Sequence, residues 1–100
     1  MTNNLNQVLI EGDVTDTPEE KDADGNTSFI IESRRVSQPE PSRFRIDVAG
    51  KFADACIEHI RLGTGVRVIG MIGYDRAGHF RIVADHVIFK PETTKPRLVK

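Results

Sequence analysis

The chain has no tryptophan and only one cysteine, and its six aromatic residues are five phenylalanines and one tyrosine. A lone cysteine, Cys56, excludes an internal disulfide. No run approaches the roughly 18 apolar residues that cross a bilayer, and the polar N-terminus does not have the charged-then-apolar layout of a secretory signal. The 100 residues fit a single domain. We therefore expect a one-domain cytoplasmic protein with no membrane partner.

The patterns that catalysis and metal binding require are also missing. We find no phosphate-binding loop, no nucleophile–base pair and no paired carboxylates, so we expect no enzyme and no cofactor. Cys56 and His59 are close enough for a nucleophile or a metal-ligand pair, but a thiol among apolar neighbours is more often part of the core. With one cysteine and the other histidines scattered, we expect no zinc. The acids between Glu11 and Asp24 do not have calcium-loop spacing.

Charge is present but unevenly distributed. Residues 1–33 hold one basic and eight acidic residues, a net −7, whereas residues 34–100 hold thirteen basic and seven acidic residues, a net +6. Such asymmetry often marks a face that binds a polyanion, although an ordinary solvated surface can show it too. We interpret the acidic part as a solvated connection that repels a polyanion and steers it to the other face.

Hydrophobic spacing predicts five strands and one helix. The clearest strand covers residues 43–49, where Phe44, Ile46 and Val48 alternate with polar or small residues. In residues 51–62 the apolar residues fall at helical spacing, and Gly63 suits the left-handed position that follows a helix. The other predicted strands cover residues 5–14, 28–33, 66–72 and 80–89, with Gly12 marking a bulge or bend. In the fourth strand, Val66, Val68, Gly70 and Ile72 are predicted to share a face.

The order of these elements predicts the fold. Three strands, a helix and two further strands give an all-β, five-stranded OB-fold barrel with one α-helix between strands 3 and 4. We assign residues 1–90 to this domain and expect residues 91–100, with two prolines, to form a flexible tail. The fold by itself does not establish a function.

Several segments resemble, in the same order, those of bacterial single-stranded DNA-binding proteins. They are Asn6-x-Val8-x-x-x-Gly12 with Asp16-x-Pro18, Phe29 through Arg35, Phe44 through Val48 with Gly50 through Asp54, Gly63-x-Gly65-Val66-x-Val68-x-Gly70, and Ile82 through Val87. The resemblance implies sequence-nonspecific binding of single-stranded DNA in replication, repair and recombination, in the cytoplasm at the nucleoid. It also implies a homotetramer built as a dimer of dimers, or a homodimer, with the first strand in the dimer contact.

The chain departs from that family in three respects. Arg43 and Ala49 stand at outward positions where the family carries stacking aromatic residues. The turn between the last two strands is short, and the chain ends on Lys100 rather than on the family's acidic, phenylalanine-capped tip. These departures leave open a tailless relative of the primosomal replication protein type, which recruits replication proteins. They also leave open a protein-binding adaptor with a degenerate DNA face.

Basic and aromatic residues are the candidates for contacting DNA. Phosphate neutralisation supplies most nonspecific affinity, and bases stack on aromatic or guanidinium planes. Each cation could equally be an ordinary solvated charge, and Tyr74 and Phe80 could instead pair across their hairpin. Phe29, Phe44 and Phe89 are predicted to lie in the core, and Phe52 to pack the helix onto the barrel. The predicted nucleic-acid-binding residues are Arg34, Arg35, Arg43, Arg45, Lys51, Arg67, Tyr74, Arg76, Phe80 and Arg81.

Overall fold

Five strands and one helix occur in the predicted order in the computed structural model, which describes residues 4–91. The elements are β1 (Val8–Asp16), β2 (Asn26–Ser33), β3 (Ser42–Ala49), α1 (Gly50–His59), β4 (Gly65–Tyr74) and β5 (Phe80–Phe89). The strands form a closed barrel in the order β1-β2-β3-β5-β4. This arrangement confirms the OB-fold. The predicted tail, apart from Pro91, lies outside the described residues.

Strand β1 closes the barrel by changing partners along its length. It pairs with β4 from Val8 to Asp13 and with β2 from Asp13 to Asp16. A Cβ atom on Gly12 would lie 2.6 Å from the backbone carbonyl oxygen of Glu32, so glycine permits the close approach of β2. Of the bulge or bend predicted at Gly12, the bulge is wrong, because the pairing with β4 is regular at Gly12 and the register shift of β1 falls between Val14 and Asp16.

The barrel interior is built from the inward-facing residues that alternation predicts. Ile46 and Val48 of β3 are buried, Phe29 is 2 % exposed, and Cys56 is fully buried in the core, as predicted. Phe44 and Phe89 are half-buried and pack against this core. The buried apolar residues are Val14, Phe29, Ile31, Ile46, Val48, Ala53, Cys56, Ile60, Val66, Val68, Ile82 and Val87.

The helix ends at His59, three residues earlier than predicted. Ile60 adopts an extended conformation, with φ −82° and ψ 131°, and its N–H donates to the carbonyl of Cys56. Gly63 takes the predicted left-handed conformation, with φ 85°. The ring of Phe52 meets that of His86 on β5 edge-on at 5.5 Å, so Phe52 links the helix to the barrel as predicted.

The β4–β5 hairpin continues beyond the core. Ile72 is predicted to share a face with Val66 and Val68, but unlike those two buried residues it is 42 % exposed, because the core does not reach this part of the hairpin. The side chain of Asn6 donates to the carbonyl of Ile72 at 2.9 Å and accepts from its N–H at 3.0 Å. The prediction that the first strand begins at Leu5 is wrong, because Leu5 precedes β1 and is 89 % exposed.

Candidate nucleic-acid interface

Two loops meet at one end of the barrel. Strands β3 and β5 run parallel, with Ile46 beside Ile82, so both strands begin at the same end. The β2–β3 loop (residues 34–41) and the β4–β5 turn (residues 75–79) therefore lie at that end, which we call the hairpin end. Half of the predicted binding residues lie there or border it. They are Arg34, Arg35, Tyr74, Arg76 and Phe80.

Aromatic rings form a row at the hairpin end. Tyr74 and Phe80 are directly opposite each other in the β4–β5 ladder. Their ring centroids lie 6.1 Å apart, and Phe80 lies at the same distance from Phe44 of β3. Tyr74 remains 65 % exposed and Phe80 38 % exposed. The two rings therefore pair across the hairpin, which is one of the two alternatives that the sequence leaves open. Both rings also keep exposed surface on which a base could stack.

Three arginines lie in the two loops of the hairpin end. Arg35 and Arg76 are exposed, and within residues 4–91 no carboxylate forms an ion pair with either. Arg34 is also exposed and lies 3.7 Å from a carboxylate oxygen of Glu32, a loose contact. Exposed ion pairs of this kind stabilise the fold only slightly, so Arg34 can leave Glu32 at little cost. All three guanidinium groups are therefore accessible to a phosphate.

Two other predicted arginines are engaged by carboxylates. Arg81 donates to Asp47 at 2.8 Å, Asp47 accepts two bonds from Arg45 at 2.9 and 3.1 Å, and Arg45 donates to Asp75 at 2.8 Å. We call these four residues the ion-pair chain. It lies on the outer face of β3 and β5 and joins that face to the β4–β5 turn. A phosphate that bound Arg45 or Arg81 would have to compete with these carboxylates.

The ion-pair chain shifts the ionisation of its members. Hydrogen bonds from the N–H of His79 and from Arg45 lower the pKa of Asp75 from its usual 3.8 to about 2. The pKa of Arg45 is raised above its usual value, because Asp47 and then Asp75 accept hydrogen bonds from the guanidinium. Both groups are therefore charged throughout the physiological range.

A groove of about 670 Å³ lies over the outer face of β2, β3 and β5. Its lining holds two basic residues, Arg45 and Arg81, and five acidic ones. The acidic residues are Asp16, Glu19, Glu20, Asp22 and Asp47. The β1–β2 connection was predicted to steer a polyanion to another face, but its acids share this groove with two predicted DNA-binding arginines. The sequence could not show this, because the connection folds back over strands that come later in the chain.

The remaining predicted cations lie away from the hairpin end or are paired. Arg43 donates to Asp16 at 3.3 Å. Arg67 contacts Glu11 at 2.6 Å, and the hydrogen bond from Arg67, followed by the charge of Lys90, lowers the pKa of Glu11. Lys51 is exposed in the first turn of α1, which follows the opposite end of β3. The ten predicted residues are thus spread over several surfaces.

Sequence reasoning missed Asp75 as a partner in the site. Asp75 and Arg45 lie 30 residues apart, and Asp47 and Arg81 lie 34 apart, so no local spacing connects either pair. In the sequence, Asp75 is simply part of the short turn between the last two strands. Among these contacts, only the one between Arg45 and Asp47 could be predicted from the sequence, because alternation places both side chains on the outer face of the same strand.

Other kinds of site find little support in the part of the chain that the structure describes. No group of three or more histidine, cysteine, aspartate or glutamate side chains within it is arranged to hold a metal ion. Its one helix, α1, has 10 residues and is too short to cross a membrane.

No family model and no curated protein matches the sequence. Solved structures, in contrast, are similar to this chain in three dimensions. The SSB domain of a Synechococcus sp. protein superimposes with a TM-score of 0.75 at 15 % identity, covering 88 % of this chain and 99 % of that one. A small single-stranded DNA-binding protein from Streptomyces coelicolor gives 0.75 at 18 % identity, covering 90 % and 97 %.

A third similar structure is the dimeric N-terminal domain of the PriB protein from Thermoanaerobacter tencongensis. It gives a TM-score of 0.73 at 22 % identity and covers 87 % of this chain and 98 % of that one. At these identities the three comparisons establish a shared fold. The resemblance seen in the sequence is therefore confirmed at the level of three-dimensional architecture.

Proposed function

We propose that this protein binds single-stranded DNA without reading its sequence, and protects and organises it during DNA replication, repair and recombination. It acts by binding rather than by catalysis, on nucleoid DNA in the cytoplasm. The observation that carries the proposal is the exposed Tyr74–Phe80 ring pair at the same end of the barrel as three accessible arginines. Aromatic rings tolerate any base because every base has a π-face, and cations track the phosphate backbone.

The energetics of such a site divide between stacking and charge. Each stacked base contributes about 1–3 kcal/mol, and the hairpin end has two exposed rings. Arg34, Arg35 and Arg76 add a salt-sensitive term, with a slope of about −0.7 per phosphate neutralised on a single strand. A site of this size gives each copy of the chain only modest affinity for DNA. Several copies joined in one oligomer would bind one strand more tightly, because binding by the first copy raises the effective concentration of the strand at the next.

We propose a homodimer, or a homotetramer built as a dimer of dimers, as the working form. The outer face of β1, β4 and β5 carries exposed apolar side chains beside the Arg67–Glu11 ion pair, with Leu9 67 % exposed, Met71 44 % and Ile88 45 %. Leu9 lies opposite Ile69 in the ladder, which makes the apolar surface continuous across two strands. Light scattering coupled to gel filtration tests this proposal. Dissociation to monomers by Leu9→Lys supports it, and a monomeric wild-type protein contradicts it.

The groove favours a second candidate, a protein-binding adaptor with a degenerate DNA face. Five acids against two bases line it, and Ala49 stands where the related family carries a stacking ring. A primosome-type accessory protein, which binds single strands and recruits replication proteins, is an intermediate case and fits the PriB-like architecture. An adaptor would not bind oligonucleotides, whereas a primosome-type protein would.

The test of the proposed function is a titration of a fluorescently labelled oligo-dT strand, followed by anisotropy, with unlabelled duplex as competitor. We expect saturable binding that duplex DNA of the same length displaces poorly. Absence of binding at low salt would contradict the proposal and favour the adaptor.

A further inference from the structure

The side chain of Asp75 joins the β4–β5 turn to β3. One carboxylate oxygen accepts the N–H of His79 at 2.8 Å, and the other accepts from Arg45 at 2.8 Å. The backbone N–H of Asp75 donates to the carbonyl of His79 at 2.9 Å. Asp75 therefore closes the turn from within and ties it to the neighbouring strand.

The hairpin is held from both faces of β3. On the outer face Arg45 reaches Asp75, and on the inner face Phe44, the preceding residue, contacts the ring of Phe80. Asp47 holds Arg45 by two further hydrogen bonds at 2.9 and 3.1 Å. The guanidinium is thus oriented by its own strand before any ligand arrives.

We propose that Asp75 is a positioning residue of the nucleic-acid site, which acts through Arg45 to hold the Tyr74–Phe80 pair in place for base stacking. This inference rests on the proposed function. A hairpin that is already ordered loses less conformational freedom on binding, so more of the stacking energy appears as affinity. Arg45 and Asp47 then serve to fix the hairpin rather than to bind phosphate.

This inference is testable because it predicts that loss of the Asp75 carboxylate weakens DNA binding, whereas a purely electrostatic role predicts tighter binding. Charge alone opposes a carboxylate beside a polyanion, so removing Asp75 would tighten DNA binding if the residue acted only through its charge. A positioning residue has the opposite effect. Asp75→Asn keeps the size of the side chain and an oxygen for the N–H of His79, while it removes the ion pair with Arg45.

The matched control is Glu40→Gln. Glu40 is an exposed acid of the β2–β3 loop at the same hairpin end, and within residues 4–91 it forms no ion pair. Both variants lose one negative charge from the same region. We expect Asp75→Asn to weaken oligo-dT binding by about fivefold or more, the lower end of the loss of one stacked base. We expect Glu40→Gln to bind as tightly as the wild type or more tightly.

Tyrosine fluorescence supplies a second readout, because Tyr74 is the only tyrosine and the chain has no tryptophan. The quenching of Tyr74 at saturating oligo-dT should be smaller in Asp75→Asn than in the wild type and in Glu40→Gln. Equal quenching, together with affinity equal to or above that of the control, would overturn the inference.

A variant that keeps the charge guards against misfolding. If circular dichroism shows that Asp75→Asn does not fold, Arg45→Lys carries the test, because lysine keeps the positive charge but lacks the forked guanidinium that donates to Asp47 through Nε and Nη2 and to Asp75 through Nη1. The inference predicts reduced quenching of Tyr74 in Arg45→Lys, and unchanged quenching contradicts it. If the wild-type protein binds no oligo-dT, both the proposed function and this inference are contradicted. If the wild type binds and Asp75→Asn binds oligo-dT equally well with equal quenching of Tyr74, only this inference is contradicted.

Discussion

Tyr74 and Phe80 face each other across the β4–β5 hairpin with ring centroids 6.1 Å apart and ring planes at 75°. Phe80 also contacts Phe44, which anchors the pair to the barrel. Tyr74, at 65 % exposure, is the more accessible ring. This arrangement gives a chain without tryptophan an exposed aromatic surface, on which we propose that bases stack.

Removal of the Tyr74 ring should weaken DNA binding through stacking. We predict that Tyr74→Ala lowers oligo-dT affinity by about 5- to 150-fold, corresponding to about 1–3 kcal/mol per stacked base. The salt dependence should stay as in the wild type, because no charge is lost. Anisotropy titrations measure both quantities. Tyr74→Phe is the control and should bind nearly as the wild type does; equal losses in both variants would point to the hydroxyl rather than to stacking.

Replacement of an accessible arginine should weaken DNA binding because a positive charge is lost. Arg76 lies in the β4–β5 turn without an ion-pair partner in the described part of the chain, whereas Arg67 contacts Glu11 at 2.6 Å. We predict that Arg76→Ala weakens binding and reduces the steepness of the salt dependence by about 0.7, the contribution of one phosphate. Arg67→Ala should change both quantities less. The reverse order would place the DNA path on the outer face of β4 instead.

Gly70 should be essential for packing rather than for binding. A Cβ atom there would lie 2.1 Å from the backbone carbonyl oxygen of Val83, so the strands β4 and β5 would have to separate. We predict that Gly70→Ala lowers the free energy of unfolding by about 1–3 kcal/mol. Gly73→Ala is the control from the same strand, since its nearest contact would be an ordinary 3.8 Å to the side chain of Val83. Urea denaturation compares the two, and equal stability would refute the close approach.

Asp75 should give stability that depends on pH. The pKa of its carboxyl falls to about 2 in the folded state, because the N–H of His79 and the side chain of Arg45 stabilise the carboxylate. A lowered folded pKa means that the contribution is complete above about pH 4 and is lost as the pH falls through about 2. The difference in unfolding free energy between wild type and Asp75→Asn should therefore be present at pH 6 and largely absent at pH 2. The same difference at both values would show that the ionised carboxylate is not what stabilises the turn.

The fold was predictable where the pattern is local. Strict alternation in residues 43–49 correctly predicted that Ile46 and Val48 lie inside and that Arg45 lies outside. The spacing of apolar residues placed the helix, and the predicted limits of the fifth strand, residues 80 and 89, are those of β5. The end of the helix was not predictable, because Ile60 continues the apolar spacing while its backbone leaves the helical conformation.

The candidate site was predictable only in its residue types. Tyr74 and Phe80 flank a recognisable turn, so their pairing could be foreseen. The contact between Arg45 and Asp75 depends on the parallel pairing of β3 and β5, which no short-range spacing reveals. The acid-lined groove likewise depends on the β1–β2 connection folding back over β3 and β5.

The most direct test of single-strand binding at the hairpin end is the fluorescence of Tyr74 during a titration with oligo-dT at several salt concentrations. We predict that the tyrosine emission is quenched as the strand saturates the protein. We also predict that the midpoint moves to higher oligo-dT concentration as salt rises, because the logarithm of the association constant falls with the logarithm of the salt concentration, with a slope of about −0.7 per phosphate neutralised. Binding by anisotropy with unchanged tyrosine emission would contradict the hairpin end as the site, and no binding at any salt concentration would contradict the function.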